Sequence, residues 1–177
     1  IENDPAATPY DREVERTCLQ YFDREHIPVS VVSTGVKQRL LKKPYYGLKC
    51  SSNIEVIPNG IDVTQRFPQS NIREHYQIGA NSKIMLSVGG ICNVKNQIQL
   101  IRAINLLPED IQKNLWVFLI GTVSPGYPIW EEVEKLKYKE QVVITGFLPH
   151  EQLPDYFCEA DLVVMSSIDE GFGLSLV

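Results

Sequence analysis

The chain lacks most of the features that mark membrane, metal or nucleic-acid proteins, and each absence removes a class. No apolar run approaches the ~20 residues a helix needs to cross a bilayer. No block of Lys and Arg marks a membrane-surface patch, and 17 basic against 22 acidic residues leave a formal charge of −5. That sign does not suit a phosphate backbone as partner. Histidine is scarce: His26, His75 and His150 fall on separate segments and make no metal trio. Cys18, Cys50, Cys92 and Cys158 lie far apart, with no CxxC pair and no nearby histidine spacing. A disulfide framework and a zinc site are both disfavoured; four buried thiols in a reducing compartment are expected. P-loop, GxGxxG and Ser-His-Asp patterns are missing, as are two carboxylates placed to flank a sugar for hydrolysis. The first residue is Ile1 rather than Met, which reads as part of a longer or trimmed product.

What is present is an ordinary globular composition, 44% apolar over 177 residues, enough for one generous domain or one and a half small ones. Thr8-Pro9 makes a helix start, with Val14, Cys18, Tyr21 and Phe22 at helical spacing and Pro28 closing the element. Val29 to Val32 reads as a short strand. Ser33-Thr34 can cap a helix over Val36 to Leu41, stopped by Lys43-Pro44. Ile54 to Ile57 is a strand closed by the turn Pro58-Asn59-Gly60. Residues 67–82 are polar, carry Pro68 and Gly79, and read as a linker with one helical turn.

From Lys83 the rhythm becomes regular. Ile84 to Val88, Trp116 to Ile120, Val142 to Thr145 and Leu162 to Met165 read as buried strands. Between them stand helices over Asn96 to Leu107 (Ile98, Ile101, Ile104 and Leu107 in register), Pro128 to Lys139, and Glu151 to Glu159. Apolar strands alternating with helices predict an α/β fold: a Rossmann-like parallel sheet with helices on both faces. Ligands of such sheets sit beyond the carboxyl ends of the strands. That points to four loops: Gly89 to Lys95, Gly121 to Pro128, Gly146 to His150, and Ser166 to Gly173. Three of them open with glycine immediately after the strand.

The fourth carries Asp169-Glu170-Gly171-Phe172-Gly173-Leu174, where a strand breaks into a loop and glycines are expected to open a helix. Bare amides at the positive end of a helix dipole receive phosphate, while an acid one residue ahead suits hydroxyls. Phosphate and hydroxyls together point to a nucleotide-sugar. Lys95, just before a helix, can reach a diphosphate as a point charge. Read singly, Lys95 also fits a solvated lysine at a helix start, Glu170 an exposed loop acid, and His150 a surface residue. Their convergence on one sheet edge is what raises the first two. Trp116 and Phe157 are assigned to the core.

These motifs occur in a familiar order: Val56-Ile57-Pro58-Asn59-Gly60-Ile61-Asp62, Leu86 to Gly90 with Lys95, Thr145 to Leu148, Ala160-Asp161, then Glu170 to Leu174. Together, over roughly residues 29–177, they resemble the retaining glycosyltransferases of family four, of GT-B architecture. The resemblance implies an acceptor domain and a donor domain, each Rossmann-like, and transfer from a nucleotide-diphospho-sugar with retention at the anomeric carbon, without a metal ion or other cofactor. It implies catalytic roles for Lys95, neutralising the diphosphate, and Glu170, holding the donor sugar. Donor binding falls by the same matching to Gly89, Gly90, Gly121, Phe147, Leu148, Gly171, Phe172, Gly173 and Leu174.

On that basis residues 1–66 are expected to be a remnant of the acceptor domain, 67–82 a linker, and 83–177 a donor domain short of its carboxyl end. The implied partners are a nucleotide-sugar and an unknown acceptor, a glycan, lipid or polysaccharide precursor. No nucleic acid is among them, and the implied location is cytoplasmic, including the cytoplasmic face of a membrane. The chain departs from the family at Gly90, where an arginine is usual, and the second glutamate of the E-x7-E pattern would fall one residue past Val177. The piece alone is therefore expected to be inactive or nearly so, and to self-associate through exposed sheet edges. A nucleotide-sugar epimerase or phosphorylase on the same fold, and a degenerate non-catalytic binding domain, are the competing readings.

Overall fold

A computed structural model describes residues 8–42, 54–62 and 70–176; Cys50, the Lys43-Pro44 stop, Pro68 and Val177 lie outside them. The chain divides into two compact units. The first comprises the described residues up to Ile61 together with Asp169–Leu174, and the second Asp62–Ile168 with Ser175 and Leu176.

In the first unit, helix α1 (Pro9–Arg24) begins as the sequence dictates. Thr8 Oγ1 accepts from Asp11 N–H and the Asp11 carboxylate accepts from Thr8 N–H, a reciprocal capping box with proline at the first helical position. The helix ends four residues before Pro28. Strand β1 (Val29–Val31) leads through Ser33, whose hydroxyl accepts from Val36 N–H at 3.2 Å, into α2 (Thr34–Leu41). Strand β2 (Ile54–Val56) pairs in parallel with β1, and Val31, Leu40 and Ile54 form a small core beneath them.

The second unit opens with α3 (Ile72–His75), one turn inside the stretch whose polarity reads as a linker. Strand β3 (Lys83–Val88), α4 (Gln97–Ile104), the short α5 (Glu109–Gln112), β4 (Leu115–Ile120), α6 (Ile129–Val133), β5 (Val142–Gly146), α7 (Leu153–Glu159) and β6 (Leu162–Val163) follow. All pairings in this sheet are parallel, in the order β5-β4-β3-β6.

Alternation along β3 and β4 divides the core in two. Met85, Leu115, Val117 and Leu119 face Leu100, Ile101 and Ile104 of α4 and Ile129 and Val133 of α6. Ile84, Leu86, Phe118 and Ile120 face Ile72, Ile78 and Tyr156 on the other side. Neighbouring residues thus serve opposite faces, which is why both strands read as continuous apolar runs. Trp116 and Phe157 pack against the second of these cores, as assigned.

Four expectations need correction. Cys18 and Cys158 are exposed and Cys92 is partly so, because their helices and loop turn them outward; they are not buried thiols. The helix expected over residues 128–139 stops at Val133, since Leu136 turns into the core while the Lys137 ammonium and Tyr138 hydroxyl both donate to Glu109. The last strand ends at Val163 rather than Met165, because the chain leaves the ladder for the loop after β3. β5 is only half-buried and Leu162 is exposed, so the two outer strands are less enclosed than their apolar composition predicts. β6 is held at its start instead: Asp161 accepts from Ile84 N–H at 2.9 Å and from Lys83 Nζ at 2.8 Å. Lys83, then that backbone amide, hold its carboxyl below the usual range.

Candidate functional site

The carboxyl edge of the second unit is built on close backbone contacts among loops. Gly89 N–H donates to Ile120 O at 2.8 Å, and Gly121 N–H to Gly146 O at 2.9 Å. Gly89, Gly121 and Gly146 have φ of 140°, 149° and 73°, a region that favours glycine. At Gly121 space is decisive as well: a Cβ there would lie 2.1 Å from Gly89 O. The loops after β3 and β4 can meet only because residue 121 has no side chain.

Farther out, Ile91 N–H donates to Thr122 O and Ser124 N–H to Ile91 O, both at 2.9 Å, extending the sheet pairing beyond its strands. The half-buried Lys95 runs back over Gly89, where a Cβ would sit 3.6 Å from Lys95 Cε and 3.8 Å from its Cδ. The segment after β6 runs alongside: Ser166 Oγ donates to Lys95 O at 2.9 Å and Ile168 N–H to Val94 O at 2.8 Å. Gly90 is exposed, with open space where its Cβ would be.

Three of the glycines singled out from sequence and Lys95 therefore share one edge of the second unit, with Ser166 and Ile168 bonded alongside. Phe147 and Leu148 separate: Phe147 is 77% exposed, whereas Leu148 packs against the core around Tyr156. Helix α4 starts at Gln97, two residues after Lys95. Asn96 stands at φ 55° and gives no side-chain cap, and the buried Tyr127 hydroxyl accepts from Ile98 N–H at 3.2 Å. Burial, as the leading cause, raises the Tyr127 phenol above its ordinary range.

Glu170 to Leu174 belong to the first unit. There the Arg39 guanidinium of α2 pairs with the Asp169 carboxylate and donates to Glu170 O at 3.1 Å. A Cβ on Gly171 would lie 3.4 Å from Val32 Cγ2, so this loop lies close against the end of β1. Gly173 has φ 81°, and a three-residue 3-10 turn, Leu174–Leu176, follows it. Within the described residues that single turn stands in place of the α-helix expected after Gly173.

Two residues at these loops escaped the sequence reading. Arg39 gave no signal, since an arginine late in a short helix is commonplace. Gln97 did: it shares a helical face with Leu100, Ile101 and Ile104, and only 2% of it is exposed.

A parallel α/β sheet with glycine loops at its carboxyl edge is a Rossmann-like arrangement, the class in which ligands are held beyond the strand ends. The chain belongs to the family described as glycosyl transferases group 1, whose model matches residues 68–177. Mannosylfructose-phosphate synthase of Agrobacterium fabrum is 29% identical over 144 residues, covering 75% of this chain and 31% of that protein. D-inositol 3-phosphate glycosyltransferase of Nocardia farcinica is 29% identical over 178 residues, covering 96% of this chain and 38% of that protein. Among solved structures, Anabaena HepE in complex with UDP and glucose has a TM-score of 0.77 at 21% identity, covering 93% of this chain and 44% of that one. Sucrose-phosphate synthase from Thermosynechococcus elongatus follows at 0.75 and 22%, covering 98% and 42%. The chain thus spans less than half the length of these proteins. No helix among the described residues is long and apolar enough to cross a membrane.

Proposed function

We propose that this chain supplies the donor-binding part of a retaining glycosyltransferase. In the proposed reaction the bond from the anomeric carbon to the diphosphate breaks. A bond from that carbon to an acceptor hydroxyl oxygen forms on the same face, and the hydroxyl proton leaves with the diphosphate or solvent. Negative charge grows on the diphosphate as it departs. A fixed cation and backbone amides placed there lower the barrier, an electrostatic contribution larger than any other the site offers.

The observation that carries the reading is Lys95 lying over Gly89, on an edge where Gly121 brings neighbouring loops into backbone contact. Lys95 is assigned to the diphosphate, Glu170 to the hydroxyls of the sugar, and Phe147 to the base. No metal ion or other cofactor enters the proposal, because Lys95 and the amides take the charge. HepE is described with UDP and glucose, which supports a nucleotide-sugar as donor here. The epimerase, phosphorylase and non-catalytic readings gain no support from the relatives.

Calorimetric titration with UDP, GDP and ADP tests the proposal. One of the three is expected to bind, and Lys95→Ala to weaken that binding by roughly 10- to 100-fold, the loss of a hydrogen bond to a charged group. Binding of none of them, or a Lys95→Ala protein that binds as before, would end the assignment.

A further inference from the structure

Beyond Gly90 the backbone doubles back, with Asn96 N–H donating to Cys92 O at 2.8 Å. The Gln97 amide bridges this turn. Its Nε2 donates to Gly90 O at 3.1 Å and its Oε1 accepts from Cys92 N–H at 3.3 Å. Both halves of one amide are thus spent on a stretch of three residues, from a side chain that is 2% exposed. The chemistry is selective, since a carboxylate lacks the donor, an ammonium lacks the acceptor, and methionine lacks both in useful strength. A buried amide that lost either partner would be penalised, so it fixes the direction of the peptide groups it holds.

Those peptide groups set the loop. Ile91, between the two bonded residues, is fully buried and exchanges backbone bonds with Thr122 and Ser124. Gly89 and Lys95, which bracket the turn, are the pair whose contact carries the functional reading. We infer that Gln97 is a positioning residue for the diphosphate loop. From beneath, it holds Gly90 to Cys92 so that Lys95 and the outward face of the loop are arranged before ligand arrives. Preorganisation of this kind lowers the ordering cost of binding. The inference rests on the donor-site reading above.

The test compares wild type with Gln97→Met, which keeps length and bulk without the amide. Gln97→Glu keeps the acceptor but turns a carboxylate toward Gly90 O. Gln99→Met, at an exposed position of the same helix, is the control. UDP and inorganic pyrophosphate are the probes, titrated into the full-length protein at a temperature where circular dichroism shows each variant folded.

Gln97→Met is expected to bind both probes roughly tenfold more weakly, from two weakened hydrogen bonds. Gln97→Glu should bind more weakly still, and the control should be unchanged. Hydrogen exchange at Cys92 N–H is expected to quicken in Gln97→Met, with exchange in β4 unaltered. A folded Gln97→Met protein with UDP affinity within about twofold of wild type would reduce the residue to a filler of the core and overturn the inference. Should that variant not fold, Gln97→Glu decides by the same comparison. Wild type binding neither probe would instead sink the donor-site reading, a distinguishable failure.

Discussion

At the scale of single residues, the glycines of the carboxyl edge are not equivalent, and the differences are steric. Gly121 combines φ 149° with backbone 2.1 Å from where a Cβ would stand. Gly121→Ala is expected to destabilise the protein by on the order of 3 kcal/mol, read as a lower urea midpoint, since the obstacle is backbone rather than a flexible side-chain end. Gly90 is the opposite case, with open space around it. Gly90→Arg restores the cation usual in the family at this place. It is expected to leave the urea midpoint unchanged while tightening UDP binding several-fold, measured by titration at two salt concentrations. Sequence reading found both glycines but could not rank them, because rank depends on which loop lies against which. Gln97 was legible in principle, being in register with Leu100 and Ile101, but its polarity places it with surface residues unless the register is given weight. Arg39 was not legible, since its partners Asp169 and Glu170 lie about 130 residues away in the chain.

At the scale of elements, β3 and β4 were read to within a residue of their ends because their composition admits little else, while the helix read over residues 96–107 closes at Ile104. The errors cluster where tertiary bonds override a continuing pattern. Residues 134–138 keep helical composition, but Leu136 is drawn into the core and Glu109 holds Lys137 and Tyr138. The strand after Asp161 stays apolar past Val163, but Ser166 and Ile168 bond to the loop after β3. Helix α4 supplies a direct test. Tyr127→Phe removes the acceptor for Ile98 N–H, an orphan donor of the first turn. The expected cost is about 1 kcal/mol in denaturant unfolding. Amide exchange should quicken at Ile98 more than in β4.

At the scale of the molecule, carboxylates paired with cations make acid the vulnerable side. Arg102 first, then Lys135, hold the Glu132 carboxyl down to about 2 from the usual 4.5. Its proton is therefore bound more weakly in the folded chain than in the unfolded one. The stability it contributes is complete above pH 4.5 and drains as pH falls toward 2. Asp161 and Glu109 are depressed in the same direction, each chiefly by a lysine. Unfolding midpoints measured from pH 7 down to 2 are expected to fall through that window. Gln in place of Glu132 should flatten the decline and lower the plateau at neutral pH. The parallel sheet was legible from alternating apolar strands and helices, whereas the docking of Asp169–Leu174 on the end of β1 was not.

The contrast between positions 90 and 121 also bears on redesign. Under the donor-site proposal, a library aimed at new donors can vary position 90 widely without disturbing the scaffold. At position 121 nearly every variant would be discarded as misfolded before its preference could be scored. Selection for altered specificity, in the laboratory or in a genome, therefore has one permissive position here and one that is closed.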